Sequence, residues 1–221
     1  MRTGLSFSVA PRHIVDRIGS LAESGADLNA IVRGTTPIIR HILERWSHLD
    51  DDDRSVLSGL SEISFLTAIV DGNLDEDHQY TATEVYRAGR AAGFASQVPI
   101  VEMTALRQSK SVVNEFLDLI DMPSEPPTED VVAHLEHCMA SDMPVHDLTY
   151  QILSERLEDD DADCIDRLIG TKFIHVADVG FIGADEVFWA PPPFGGYWHS
   201  ASNRMRQRDQ LYRRLGVVDS P

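Results

Sequence analysis

The chain contains one stretch twice, and this repetition constrains its fold more than any single motif. The second copy runs from Ile152 to Ala190 and the first from Ile42 to Ala88. In both, an amphipathic helical pattern runs into a group of aspartates. A short helix, an apolar strand and an acidic-Val-aromatic step follow. Ala82, Glu84, Val85, Tyr86 and Ala88 fall on Ala184, Glu186, Val187, Phe188 and Ala190. A repeat of this length reports architecture, since each copy is one supersecondary block that buries its apolar face against its surroundings. The expectation is an α+β protein of two tandem, helix-rich repeats, each with a small sheet or hairpin. Residues 1–12 read as a lead-in resembling the tail of a preceding unit. Repeat unit 1 then covers 13–126 and repeat unit 2 covers 127–221, joined near Glu125 to Thr128. Both ends fall at the same phase of the repeat, as in a piece of a longer array, and adjacent repeats are expected to share a core.

Local patterns fill in the units. Ile14, Val15, Ile18 and Leu21 are spaced as one face of a helix, with Gly25 just past its end. Thr36-Pro37 predicts a helix start, a hydroxyl cap followed by proline at the first helical position. Asp50 to Asp53 precede a short helix with Val56, Leu57 and Leu60, so they read as its cap and first turn. A calcium loop needs alternating ligands, a central glycine and a late glutamate, and this stretch has none of that order. Ile63 to Val70 predicts a buried strand, stopped by the hairpin signal Asp71-Gly72. Val98 to Val101 predicts an edge strand because Pro99 cannot donate to a ladder. In unit 2, Val131, Val132, Leu135 and Cys138 repeat the first helix, and Leu148, Ile152, Leu153 and Leu157 the second. Asp163 is expected to cap the short helix with Ile165 and Leu168, and Phe173 to Val176 is the strand again.

Composition enters where function is concerned. At a net charge of −17 the chain as a whole is a poor partner for nucleic acid, whose binding rests on neutralising phosphates. No apolar run approaches the roughly 20 residues that span a bilayer, so no membrane partner is expected. Two cysteines, Cys138 and Cys164, make no disulfide framework, and a cytoplasmic setting follows.

No motif carries a reaction. Asp178 to Gly183 lies close to the D-x-G-x-G phosphate motif of Hsp90-type ATPases, but its second glycine is one residue late. No E-x-x-x-N helix precedes it, and a hairpin turn accounts for it, so no cofactor is assigned. His134, His137 and Cys138, with His146 nearby, have helical spacing for zinc. Cys138 belongs to the apolar stripe, however, so no metal site is assigned. A metal-dependent hydrolase using His134, His137 and the aspartates stands as a rival reading. Ser109, Cys138 and Cys164 lie in no nucleophile context, so no catalytic residue is named and the segment is read as a non-enzyme. The candidate interaction residues are Trp189, Phe194, Tyr197, Trp198, Arg204, Arg206 and Arg208. Arginine beside aromatics holds phosphates or stacks on bases, which makes a nucleic-acid-associated module a second rival. The favoured reading pairs these arginines with the chain's own carboxylates or packs them against a neighbouring unit.

With the repeat in view, the chain resembles sacsin and the bacterial sacsin-like proteins. The resemblance rests on Leu168 to Val176, on Asp185-Glu186-Val187-Phe188, and on Leu211 to Val217 with Pro221. Unit 1 departs at Ile120-Asp121-Met122, where Leu215-Gly216-Val217 would stand. The resemblance implies a non-catalytic interaction or scaffold region of a larger Hsp90-type ATPase protein with a chaperone-like or host-defence role. Its partners would be proteins or adjacent domains of the same parent chain.

Overall fold

A computed structural model describes residues 9–101, 109–190 and 199–219. The fold is α+β, with helices set against small sheets of two or three strands, and it separates into two compact units between Glu125 and Pro126. Among the described residues no helix is long and apolar enough to cross a membrane.

Unit 1 begins with α1 (Pro11–Ala22) and α2 (Leu28–Glu44), followed by the short α3 (Asp51–Leu57). Helix α2 starts earlier than Thr36-Pro37 implies. Asp27 is its cap, accepting from the Ala30 N–H at 2.9 Å, and Pro37 lies inside the helix. The neighbouring Thr35 is buried, and its hydroxyl donates to the Ile31 carbonyl at 3.0 Å. A Thr-Pro pair mimics a helix start, but the apolar face of Ile31, Ile39, Ile42 and Leu43 carries the helix through it. Asp50 caps α3 by accepting from the Asp53 N–H at 2.8 Å, with Asp51, Asp52 and Asp53 in the first turn. Asp50→Ala is expected to cost about 1 kcal/mol. Urea unfolding should show it as a lower midpoint at unchanged slope.

The strand of unit 1 is shorter than the apolar run from Ile63. Only β1 (Ala68–Val70) pairs regularly, with Leu66 adding an isolated bridge to Tyr80. Asp71 and Gly72 both take positive φ, 50° and 76°, as a two-residue hairpin to β2 (Asn73–Leu74) requires. β3 (Ile100–Val101) pairs with the opposite edge of β1, so the sheet order is β2-β1-β3 with β3 at an edge. Helix α4 (Lys110–Leu119) closes the unit. Its Phe116 meets Trp46 edge-on at 6.0 Å within a core that includes Ile18, Ile42, Leu57, Leu60 and Phe65. The Trp46 indole donates to Glu115 at 2.7 Å, and the Arg54 guanidinium sits 5.0 Å over its ring.

Unit 2 repeats the order with α5 (Thr128–Ser141), α6 (Asp147–Glu155), β4 (Ile174–Val176), β5 (Gly180–Ile182), β6 (Val187–Phe188) and β7 (His199–Ser200). Two short helices follow, α7 (Asn203–Arg206) and α8 (Asp209–Arg214). Asp163 does not cap the segment before β4. That segment is a 3-10 helix, Ala162–Leu168, whose first turn contains Asp163, with no side-chain cap bond.

The two units share details that fix their chain path. Glu84 accepts from the Thr81 N–H and Glu186 from the Gly183 N–H, both at 2.8 Å, each closing a one-turn 3-10 helix. Val85 and Val187 follow, both fully buried. Tyr86 bridges Ile100 in parallel as Phe188 bridges Ser200. At the end of each unit, the N–H of Met122 reaches the Leu117 carbonyl at 3.0 Å, and that of Val217 reaches Tyr212 at 2.9 Å. Both are Schellman closures through one left-handed residue, Asp121 (φ 56°) or Gly216 (φ 104°). Aspartate tolerates that region well enough to stand where glycine stands in the other copy.

Candidate functional site

The units differ at the second edge of the central strand. In unit 1 that edge of β1 carries β3, through Ala68 opposite Val101 and Ile69 opposite Ile100. In unit 2, among the described residues, β7 pairs with β6 alone, and β4 with β5 alone. A cleft of about 360 Å³ lies there, walled by Ile174, His175 and Val176 on one side and by His199, Ser200 and Ser202 on the other.

An open strand edge leaves backbone groups without partners. Tyr150, from α6, supplies them. Its hydroxyl donates to the Phe173 carbonyl at 2.7 Å and accepts from the His175 N–H at 3.0 Å. One side chain thus takes the place of a neighbouring strand for these two backbone groups. Burial pushes the Tyr150 phenol well above its ordinary pKa, so the proton that makes the donated bond stays in place. The ring is held 5.9 Å from Tyr212, which stacks in turn on Phe173 at 6.0 Å. In the repeat register that places Ile152 on Ile42, Tyr150 falls on Arg40, so unit 1 has no such hydroxyl.

The polar lining consists of hydroxyls, two imidazoles, one guanidinium and one carboxylate. Asp147 is the one carboxylate among the described cleft residues, and Arg208 grips both its oxygens at 2.9 and 2.7 Å. Those bonds hold the Asp147 carboxyl below its usual range. Arg208 is only 10% exposed, whereas Arg204 is 73% exposed and approaches Asp147 no closer than 4.0 Å. The His175 ring is braced edge-on against Phe181 at 5.2 Å. Unit 1 also has a concavity, about 710 Å³, but Arg87 and Lys110 are the charged groups in its mostly apolar lining. Arg87 is engaged there with the Met122 carbonyl at 2.6 Å and with Asp118 at 2.7 Å.

The arginine-rich stretch is distributed around this cleft and beneath it. Arg208 binds Asp147 as above; Arg206 donates to the Trp189 carbonyl. Arg213 lies 5.1 Å over the Trp189 ring and 3.0 Å from Asp219. Arg214 reaches Asp166 at 2.7 Å and the carbonyls of Leu157 and Ala162. Trp189 is buried under these contacts. Phe194, Tyr197 and Trp198 lie outside the described residues; of the described residues named from sequence, Arg204 alone lines the cleft. Sequence reading missed Tyr150, His175, His199 and Asp147. The signal available for Tyr150 was a tyrosine on a helix whose repeat partner is arginine.

The other ligand candidates are dispersed. His134 and Cys138 touch at 3.6 Å inside unit 2, His137 is exposed, and His146 caps α6 by accepting from the Leu148 N–H at 3.2 Å. No group of three His, Cys, Asp or Glu converges for a metal among the described residues. Burial first, and His137 second, hold the His134 imidazole below its ordinary pKa. With the folded value below the unfolded one of about 6.5, its contribution to stability is complete above that value. It is lost as pH falls through the folded pKa. Unfolding free energy measured from neutral to mildly acidic pH should therefore fall less steeply in His134→Gln than in the parent chain.

No protein-family model matches the chain, and searches of curated proteins and of solved structures likewise return no match.

Proposed function

We propose that the chain is a non-catalytic interaction region, a tandem pair of α+β repeats that holds protein partners or adjacent domains of a larger sacsin-like protein. The observation that supports this most is the division between constant and variable parts. Glutamate closures, buried valines and Schellman ends recur in both units, while the second edge of the central strand is paired in one and, among the described residues, has no partner strand in the other. Repeat proteins that bind keep the frame and vary the exposed concavities. A chaperone-like or host-defence role within an ATP-driven parent chain fits this reading, as does a cytosolic setting for two unpaired thiols. Phosphate tracking by the arginine-rich stretch is a weaker fit, because Arg208, Arg213 and Arg214 are engaged with carboxylates of their own unit.

The test is site-directed photo-crosslinking in cells of the native host, with the crosslinker at exposed Ala177 on the cleft rim or at exposed Arg12 on α1. The expected result is a discrete protein adduct from Ala177 that Arg12 does not give. Equal, diffuse labelling from both positions would overturn the reading.

A further inference from the structure

The cleft between β4 and β7 has a chemistry more definite than "interaction", and this inference rests on the interaction reading above. We propose that it binds a carboxylate carried on an apolar stem. Its volume of about 360 Å³ lies at the small end of ligand sites. Tyr150 satisfies the Phe173 carbonyl and the His175 N–H at its β4 wall.

The charge of the lining selects an anion. In a chain of net charge −17, the cleft's one carboxylate is already held in two bonds by Arg208. Arg204 remains, on the rim and 73% exposed, its one ion pair among the described residues stretched to 4.0 Å. His175 and His199 each offer a ring N–H in either protonation state. One guanidinium on the rim suits a monoanion, and its planar fork matches the two oxygens of a carboxylate. Apolar side chains of the same cleft, Ile174, Val187 and Met205, face the remainder of the ligand and favour a branched aliphatic stem.

Two sources share this chemistry: the terminal carboxylate of a protein ending in an apolar residue, and a free organic acid. The probes are an acetylated Gly-Gly-Leu peptide, its C-terminal amide, and isocaproate. Each is titrated into the full chain and followed by amide chemical-shift mapping. The expected result is saturable shifts confined to Ile174–Ala177 and His199–Met205 with the peptide acid. Arg204→Ala should weaken that binding about tenfold, the loss of one charge-assisted contact. Arg33→Ala, an exposed arginine of the other unit, should leave it unchanged. Tighter binding of the peptide acid than of isocaproate assigns the chain-terminal source; equal binding assigns the free acid. Binding of the amide as tight as that of the acid overturns the proposal, as does the absence of cleft shifts at millimolar probe. A discrete Ala177 adduct in cells would survive that failure, so the two readings fail separately.

Discussion

Tyr150→Phe is expected to destabilise unit 2 by about 2–5 kcal/mol, a large loss for one oxygen atom. The hydroxyl is the partner of two backbone groups at once, the Phe173 carbonyl and the His175 N–H. Phenylalanine keeps the ring and its contacts with Tyr212, so little packing changes. It leaves a donor and an acceptor without partners; a buried orphan costs about 1–3 kcal/mol, and the part-buried setting of the His175 N–H trims the upper end of the sum. The Phe173 carbonyl belongs to a fully buried residue, which puts its share toward the upper end. Urea unfolding followed by the signal of unit 2 measures the loss. A change below about 0.5 kcal/mol, within the range of ordinary surface substitutions, would mean that water replaces the hydroxyl and that the cleft needs no such brace. Hydrogen exchange at the His175 amide gives a local version of the same test: it should accelerate in the variant while the amides that join β5 to β4 keep their protection.

Phe116→Ala is expected to cost unit 1 about 3–5 kcal/mol, the range for a large aromatic removed from a core. Phe116 is fully buried and lies edge-on to Trp46. The loss combines transfer of the ring with the hole left between α2 and α4. Trp46 remains as a fluorophore beside that hole, so its share of the emission, separated from that of Trp189 and Trp198 in unit 2, reports the unfolding of unit 1. The contrast with Tyr150→Phe is one of mechanism. One variant removes volume and keeps every polar group satisfied; the other keeps the volume and orphans two groups.

The parts of the fold that could be read from sequence are those set by neighbours along the chain. The α1 stripe, the Asp50 cap and the Asp71-Gly72 turn each depend on residues a few positions apart. The repeat added the α+β order of the second unit. Thr36-Pro37 misled because local capping chemistry and a proline tolerated within a helix look the same over four residues. The apolar face continuing from Ile31 decided between them. The cleft was illegible for a different reason. Tyr150 reaches a backbone 25 residues away, and Arg208 meets Asp147 across 61 residues. Spacing along the chain contains no trace of either. The arginine-rich stretch could be found from sequence, yet the residues that share the cleft with Arg204 come from α6, β4 and β7.

The pairing of arginines within unit 2 bears on how fast anything arrives. With Arg208, Arg213 and Arg214 matched to nearby carboxylates, the surplus acids of a chain at −17 set the sign of the field outside. That field extends over about 10 Å at 0.1 M salt. A carboxylate heading for Arg204 climbs a repulsive slope before it meets an attractive contact. Salt flattens the slope first, so association speeds up as ionic strength rises, the reverse of ordinary steering. A basic protein meets the same field with the opposite sign and arrives fastest in dilute buffer.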